Sequence, residues 1–215
     1  ISQNLLLRFV PEEALGGLYE ALLEAGLALP EAHTLLDITR CPGADTCNLA
    51  ITRSRGRAQA LEAHLSALPL AQDPGAKAIG VKISGCPNSC GQHHIADIGF
   101  YGSSRKVGER EVPHYVLLLG GRTREGEARF GQVVGRIPAR RVPEAVERIL
   151  KRYLEERQNG ESFQAYLDRV GAASFKPLLQ DLQEVPPYEE APEFYQDLGA
   201  EGEAFSVQLG RGECA

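Results

Sequence analysis

Methionine and tryptophan are both absent from the 215-residue chain, and no run of about 18 apolar residues occurs in it. The missing run predicts that no helix crosses a membrane. The net charge of −6 argues against a general nucleic-acid binder, because such proteins present clustered positive charge to phosphates. Since even the first residue, Ile1, is not methionine, we expect a piece excised or processed from a longer chain, with a mature N-terminus as the alternative.

The rest of the composition is that of an ordinary folded protein, with 43% hydrophobic and 24% charged residues. At this length we expect one medium domain, alone or with a small appendage. Arginine is over-used, since it supplies 18 of the 23 basic residues. We find no secretory signal at the start, and we therefore expect reduced cysteines and a cytoplasmic location.

Four of the five cysteines form two pairs in loops rich in glycine and proline. Cys41 and Cys47 are separated by five residues, 38 residues intervene, and Cys86 and Cys90 are separated by three. Four thiolates from two loops can close one metal centre. A zinc module usually takes each pair at a spacing of two to four, so the first gap is wide for zinc. A larger iron–sulfur cluster tolerates that gap, and proline follows a ligating cysteine in ferredoxin-type sequences.

Three other interpretations remain open at this point. Four cysteines also make a structural zinc site. Buried, unligated cysteines are common, although two pairs bounded by Pro and Gly are hard to explain as core filling. Disulfides need an oxidising compartment. The pattern as a whole favours a [4Fe–4S] cluster.

The two motifs also resemble a known family. Cys41-Pro-Gly-Ala-Asp-Thr-Cys47, Ser84-Gly-Cys-Pro-Asn-Ser-Cys-Gly-Gln92 and Ala96-Asp-Ile-Gly-Phe-Tyr-Gly102 are similar to segments of the sirohaem-dependent nitrite and sulfite reductases. Weaker likeness extends from Gln3 to about Val170 and includes Leu118-Leu-Gly-Gly121. The resemblance implies the C-terminal half of a ferredoxin-type enzyme, with a [4Fe–4S] cluster and sirohaem as cofactors.

The resemblance also implies roles for single residues. Cys41, Cys47, Cys86 and Cys90 would hold the cluster, and Cys90 would also bridge to the sirohaem iron and so be the catalytic residue. Further contacts to the cofactors are expected from Asn88, Gln92, Gly121 and Arg122. Sirohaem carries eight carboxylates, which guanidinium groups pair with well, so the arginines at 53, 55, 57 and 124 are weaker candidates.

Two further side-chain types have plainer interpretations. His93 and His94 are adjacent and would point to opposite sides of a strand, so we expect packing near the cofactor rather than a shared metal. Cys214 has no partner in the sequence and is expected to be a spare thiol. The residues that bind the anion in this family come mainly from the N-terminal half, which lies outside this sequence.

The fold class expected is α+β, a mixed sheet with flanking helices like the haemoprotein domain of nitrite and sulfite reductases, preceded by half of a ferredoxin-like unit. Residues 1–33 would form that half unit, residues 34–170 the cluster and sirohaem domain, and residues 171–215 a C-terminal helix and an acidic extended tail. The periodicity of the sequence predicts the individual elements. Strands are expected at residues 4–10, 34–39, 78–84, 95–101, 115–119 and 130–137, helices at 11–26, 48–54, 57–68, 143–157 and 163–170, and a polar loop at 102–111.

The function expected is the six-electron reduction of nitrite to ammonia or of sulfite to sulfide. The partners implied are the N-terminal half of the same enzyme and ferredoxin or a similar low-potential one-electron donor. Ala96-Asp-Ile-Gly-Phe100 is closer to the nitrite-type enzymes. Two alternatives are a [4Fe–4S] electron-transfer module without sirohaem and a zinc-stabilised binding domain.

Overall fold

A five-stranded mixed sheet forms the centre of the computed structural model, which describes residues 4–207. The strands lie side by side in chain order, and the first three are parallel while the last two run antiparallel to their neighbours. With helices packed beside it, this sheet has the α+β architecture that the sequence predicts. The strands are β1 (Thr39–Arg40), β2 (Val81–Ser84), β3 (Ile98–Val107), β4 (Arg110–Leu119) and β5 (Gln132–Pro138).

The longest ladder is the hairpin of β3 and β4. Val107 pairs with Arg110, which leaves a two-residue connection that begins with Gly108 at φ 60°. Two-residue hairpin turns require positive φ at this position, and glycine adopts it without steric cost. The prediction of a polar loop over residues 102–111 is therefore wrong, because both strands continue through polar residues to this turn.

Within residues 4–207, five α-helices accompany the sheet. In α3 the Asp73 carboxylate caps the first turn by accepting from the N–H of Gly75 at 2.8 Å, and in α5 the Ser162 hydroxyl accepts from Ala165 at 3.2 Å. The cap at Ser162 confirms the start predicted for that helix. No helix within residues 4–207 is long and apolar enough to cross a membrane. The helices are α1 (Leu15–Glu24), α2 (Ser54–Ser66), α3 (Pro74–Lys77), α4 (Val142–Glu156) and α5 (Phe163–Val170).

The core lies on one face of the sheet, where α2 and α4 pack. Alternating strand residues such as Ile83, Phe100 and Leu117 are fully buried there with Leu61 of α2 and Ile149 of α4. This period of two in the strands and the apolar stripe of each helix explain the packing. The residues between them face the other side, where Val116 and Leu118 of β4 are also buried.

That second face carries Lys82 and Tyr101, which are half-buried, and Val133, which is 53% exposed. Lys82 precedes Ile83 in β2, Tyr101 follows Phe100 in β3, and Val133 pairs with Leu118 of β4. No α-helix of the described chain covers these side chains as α2 and α4 cover the core face.

The N-terminal segment departs from the prediction. Residues 4–10 form no strand, and Leu5, Leu6 and Phe9 are 75%, 80% and 89% exposed. The strand predicted for residues 34–39 shrinks to Thr39–Arg40 at its end. The helix predicted for residues 48–54 is replaced by turns and bends up to residue 53, because α2 begins only at Ser54. A strand needs a neighbour to satisfy its backbone, and the apolar pattern at 4–10 has none in the described chain.

After α5 the chain runs across the body in 3-10 turns rather than in a further α-helix. Leu182, Ala191 and Tyr195 are buried although this part of the sequence is rich in acid and proline. The described part of the predicted extended tail, residues 181–203, thus packs on the rest of the molecule. The turns after α5 are Ala172–Phe175, Pro177–Leu179, Asp181–Gln183 and Pro192–Tyr195.

Replacing Leu61 by alanine should lower the free energy of unfolding by about 2–5 kcal/mol, because Leu61 is fully buried where α2 packs on the sheet. Denaturant unfolding followed by circular dichroism measures the change. Gln59→Ala is the control, since Gln59 is exposed on the same helix and should shift stability by no more than about 0.5 kcal/mol. Equal losses in the two variants would contradict this assignment of the core.

Candidate metal centre

Two neighbouring parallel strands deliver one cysteine of each pair to the same edge of the sheet. Cys41 directly follows β1, and Cys86 lies two residues beyond the last residue of β2. The backbone N–H of Cys41 donates to the carbonyl of Ile83 at 3.2 Å, which extends the ladder to the cysteine itself. Carboxyl ends of parallel strands are where α/β sheets place their ligands.

The backbone of Gly85 joins the two cysteine loops. Its carbonyl accepts from the N–H groups of Ile51 and Thr52 at 2.9 and 3.0 Å, and its own N–H donates to the sulfur of Cys41 at 3.1 Å. A Cβ atom at this position would lie 2.6 Å from the carbonyl oxygen of Thr52 and 2.9 Å from Cα of Gly43. Only glycine allows the loops to approach this closely.

The four cysteines of the two loops influence one another electrostatically. Burial raises the pKa of the Cys86 thiol, repulsion from Cys41, Cys47 and Cys90 adds to the rise, and a hydrogen bond from the backbone N–H of Asn88 opposes it. The structure therefore brings all four predicted ligands together. Cys41 and Cys86 are buried, Cys47 is half-buried and Cys90 is exposed.

Ser54, the first residue of α2, supports Cys41. Its hydroxyl oxygen lies 2.7 Å from the Cys41 carbonyl and 3.3 Å from the Cys41 sulfur, and its side chain is fully buried. Hydrogen bonds to a ligating sulfur tune the chemistry of a metal centre. Sequence reasoning missed Ser54, because its role depends on α2 beginning directly behind the first loop.

The second loop has a strained shape that depends on two residues other than glycine. Ser89 and Gln92 have φ values of 61° and 62°, in the left-handed region. Such conformations persist only where surrounding contacts impose them, and they cluster at functional sites. Two hydrogen bonds lie within this loop: the N–H of Gln92 donates to the Ser89 carbonyl at 2.7 Å, and the N–H of Gly91 donates to the Ser84 hydroxyl at 3.1 Å.

His93 is fully buried behind this loop. Its Nδ1 lies 2.8 Å from the Ser84 hydroxyl, and its Nε2 is buried without a partner among the described residues. Burial, with a smaller contribution from His94, lowers the pKa of His93 to about 4, so the ring is neutral at pH 7. The ring centroids of His93 and His94 lie 4.2 Å apart, because the pair lies in a 3-10 turn and not in a strand. The pair thus lies in a turn ahead of β3, where the alternation of a strand does not apply.

The residues predicted to contact the cofactors differ in how exposed they are and in the partners that they already have. Asn88 is exposed in the second loop, and the Gln92 side chain accepts from the Lys82 ammonium at 3.3 Å. Gly121 is buried against the backbone of His94, where a Cβ atom would collide with that carbonyl. The Arg122 guanidinium is already paired with Asp168 of α5 at 2.9 Å, so a cofactor carboxylate would have to compete for it.

Of the other predicted arginines, two are held or buried and two are exposed. Arg53 is held by the carbonyl of Gly199, while Arg57 is fully buried in the core side of α2. Arg55 and Arg124 are exposed. Cys214 lies outside the described residues. A role for these arginines toward a cofactor stays a prediction.

The residues present fit a cluster on their chemistry. The Cys86 thiolate is disfavoured by burial and by the three other cysteines until bound cations offset its charge. Backbone N–H groups of Gly85 and Asn88 already point at two of the sulfurs. Within residues 4–207, no three or more Cys, His, Asp or Glu side chains stand at the spacing of a single bound ion. The described side chains thus form no ready-made site for one ion such as zinc.

Residues 31–185 match the family described as the nitrite and sulphite reductase 4Fe-4S domain. The chain belongs to this family. Membership confirms the predicted family and, at the level of the family, the predicted cofactors, a [4Fe–4S] cluster and sirohaem.

Named relatives include enzymes of both substrate types. The chain is 29% identical to sulfite reductase (ferredoxin) 1 of Mycolicibacterium paratuberculosis over 172 residues, which cover 78% of this chain and 31% of the relative. It is 31% identical to the ferredoxin–nitrite reductase of Synechococcus elongatus over 126 residues, which cover 57% of this chain and 23% of the relative. The chain thus spans about a third or less of the length of these enzymes.

Solved structures have the same fold. The Mycobacterium tuberculosis NirA protein superposes with a TM-score of 0.64 at 28% identity, over 75% of this chain and 30% of that one. Dissimilatory sulfite reductase I superposes with a TM-score of 0.53 at 15% identity, over 81% and 59% of the two chains. The NirA likeness confirms the predicted fold class.

Gly85→Ala should lower both stability and the iron bound after reconstitution, because the new methyl group would force the two loops apart at a cost of about 1–3 kcal/mol. Thermal unfolding and iron analysis measure the two effects. Gly16→Ala is the matched control, since nothing lies within 4 Å of a Cβ there and alanine favours helix α1. Unchanged iron content in Gly85→Ala would show that the junction of the loops does not shape the site.

Proposed function

We propose that Cys41, Cys47, Cys86 and Cys90 ligate the [4Fe–4S] cluster, and that the chain is the cluster-bearing half of a sirohaem-dependent nitrite or sulfite reductase. One observation carries the proposal. Two loops with the family's cysteine motifs meet at the carboxyl ends of adjacent strands, where Cys41, Cys47 and Cys90 all act electrostatically on Cys86. The cluster and sirohaem together would supply single electrons to a six-electron reduction.

Cys90 is the proposed bridge between the two cofactors. It is exposed, whereas Cys41 and Cys86 are buried under their loops. A thiolate on the open side of the site can reach a second iron, and soft sulfur is a suitable ligand for both. Ser89, the residue before Cys90, has a left-handed conformation in this turn.

The proposed sirohaem contacts are Asn88, Gln92, Gly121 and Arg122. Asn88 is exposed beside the cysteines, and Gln92 is oriented by its hydrogen bond from Lys82. Gly121 offers close backbone approach to a flat macrocycle. Arg122 would bind a carboxylate in exchange for, or together with, its present partner Asp168.

The N-terminal half of the same enzyme is the partner that we propose for residues 1–33. Leu5, Leu6 and Phe9 are exposed, and so, by about half, are Leu15 and Tyr19 of α1. A contiguous apolar surface of this kind marks a missing partner. The missing half would also supply the residues that bind the anion, and ferredoxin or a similar donor would deliver the electrons.

Nitrite is the substrate that we favour, on the strength of the sequence from Ala96 to Phe100. The named relatives reduce sulfite in some cases and nitrite in others, so they support either anion. Steady-state rates of the assembled enzyme with each anion decide the matter. Much faster turnover of sulfite would reverse the choice.

Cys90→Ser should lose the sirohaem spectrum of the parent protein, because the substitution removes the proposed bridging thiolate. Cys41→Ser should mainly reduce the iron and sulfide content. Visible absorption and electron paramagnetic resonance of the anaerobically reconstituted protein measure both effects, and Cys214→Ser is the control that should match the parent. A sirohaem spectrum unchanged in Cys90→Ser would remove this residue from the bridge. A parent spectrum with cluster bands alone would instead support an electron-transfer module.

The chain by itself should not reduce either anion at a useful rate, because the proposed anion-binding residues lie in the other half. Purified chain reconstituted with iron, sulfide and sirohaem is assayed with a low-potential one-electron donor, alone and with the separately produced N-terminal half. Activity should require both. Robust six-electron turnover by a monomer of this chain alone would overturn the half-enzyme proposal.

A further inference from the structure

The last described part of the chain, residues 186–207, lies beyond the family match and packs on the domain as a strap. The match ends at residue 185. Within the strap the buried Tyr195 hydroxyl donates to the carbonyl of Pro186 at 3.0 Å, and the Phe205 N–H donates to the Tyr195 carbonyl at 2.9 Å. The guanidinium of Arg110 stacks 3.8 Å over the ring of Tyr188. The strap is thus an ordered addition to the family's domain.

Asp197 is the one carboxylate of the strap that is deeply buried, with 4% of its surface exposed. It accepts from the backbone N–H of Arg53 at 2.6 Å and from that of Leu198 at 2.9 Å. Arg53 is the N-cap residue of α2, so the carboxylate lies at the positive end of that helix. The strap therefore satisfies the backbone N–H of the N-cap residue, whose own side chain caps no N–H of the first turn.

Arg53 connects the strap to the first cysteine loop. Its guanidinium donates to the carbonyl of Gly199 at 2.6 Å and pairs with the carboxylate of Asp45 at 3.6 Å. Asp45 lies between Cys41 and Cys47. The neighbouring residue Thr52 accepts from the N–H of Ala44 at 3.0 Å, which fixes the same loop a second time. A displacement of the strap would thus reach the loop through Arg53.

Asp197 also acts on the buried guanidinium of Arg57. Arg57 is fully buried one turn further along α2, and its Nε and Nη2 have no hydrogen-bond partner among the described residues. Asp197 acts on Arg57 electrostatically and favours its charged form, although burial itself lowers the pKa of Arg57. A buried cation without a nearby counter-charge is unfavourable. Removal of the carboxylate would therefore weaken the start of α2 in two ways, through the lost hydrogen bond to the Arg53 N–H and the lost counter-charge for Arg57.

We propose that Asp197 and Arg53 are positioning residues for the proposed cluster site, and that through them the strap holds the Cys41–Cys47 loop in its ligand-binding shape. This inference rests on the proposed cluster ligands only for its consequence on iron. The restraint on the loop is a property of the polypeptide and can be measured without metal.

Amide hydrogen exchange of the metal-free, full-length chain tests the restraint directly. In Asp197→Ala, exchange at residues 43–47 should become about five- to tenfold faster, as expected for the loss of a helix cap. Asp197→Asn keeps an acceptor for the Arg53 N–H and should show a smaller increase. Exchange at residues 86–92 in the second loop and in β3 and β4 should stay as in the parent. Glu190→Gln removes an exposed carboxylate of the same strap and is the control.

A uniform increase across both loops and the sheet would overturn the proposal, because it would show general destabilisation only. Unchanged exchange at residues 43–47 would overturn it as well. If Asp197→Ala does not fold, Arg53→Gln decides, since it breaks the links to Gly199 and Asp45 and leaves the buried carboxylate in place. After reconstitution with iron and sulfide, Asp197→Ala should release iron to a chelator faster than Glu190→Gln. The expected exchange pattern in a chain that binds no iron would uphold the strap and refute the cluster ligands instead.

Discussion

The candidate site depends on the junction that the backbone of Gly85 makes between two loops distant in sequence. One peptide carbonyl holds Ile51 and Thr52, and the adjoining N–H holds the sulfur of Cys41. These bonds are possible because β1 and β2 are parallel and end at the same edge of the sheet. Backbone hydrogen bonds thus bring the two cysteine loops together, and the four cysteine side chains are not needed for this and can serve as metal ligands.

Bringing the sulfurs together is electrostatically unfavourable for the protein without its metal. Burial and repulsion from three other cysteines raise the pKa of Cys86, so the thiolate form that a metal requires is disfavoured by the protein alone. Iron held by the four proposed ligands would reverse this balance, because its positive charge would stabilise their thiolates together. The fold around the loops must therefore be stable by itself. The buried core of α2, α4 and the sheet meets that requirement and keeps Cys41 and Cys86 in place.

The sequence could predict the elements whose signal is local. Cysteine spacing indicated the site, and the apolar stripe of α4 gave its helix to within one residue at each end. The full β3–β4 hairpin was missed because the ends of both strands next to the turn are polar, although Gly108 marks the turn. The strand expected at residues 4–10 fails for a different reason, since a strand depends on a neighbour. Asp197 could not have been found at all, because its partner Arg53 lies 144 residues away in sequence.

Exposure is distributed unevenly over the molecule, and this bears on how the chain works. One face of the sheet is closed by α2 and α4, whereas the other carries Lys82, Tyr101 and the exposed Val133. Cys90 is the exposed member of its set, and the apolar residues around Phe9 are exposed as well. A soluble domain that needed no partner would cover such surface or make it polar. The exposed residues are those that the proposed N-terminal half would cover, and the face packed by α2 and α4 would be the rigid support for that contact.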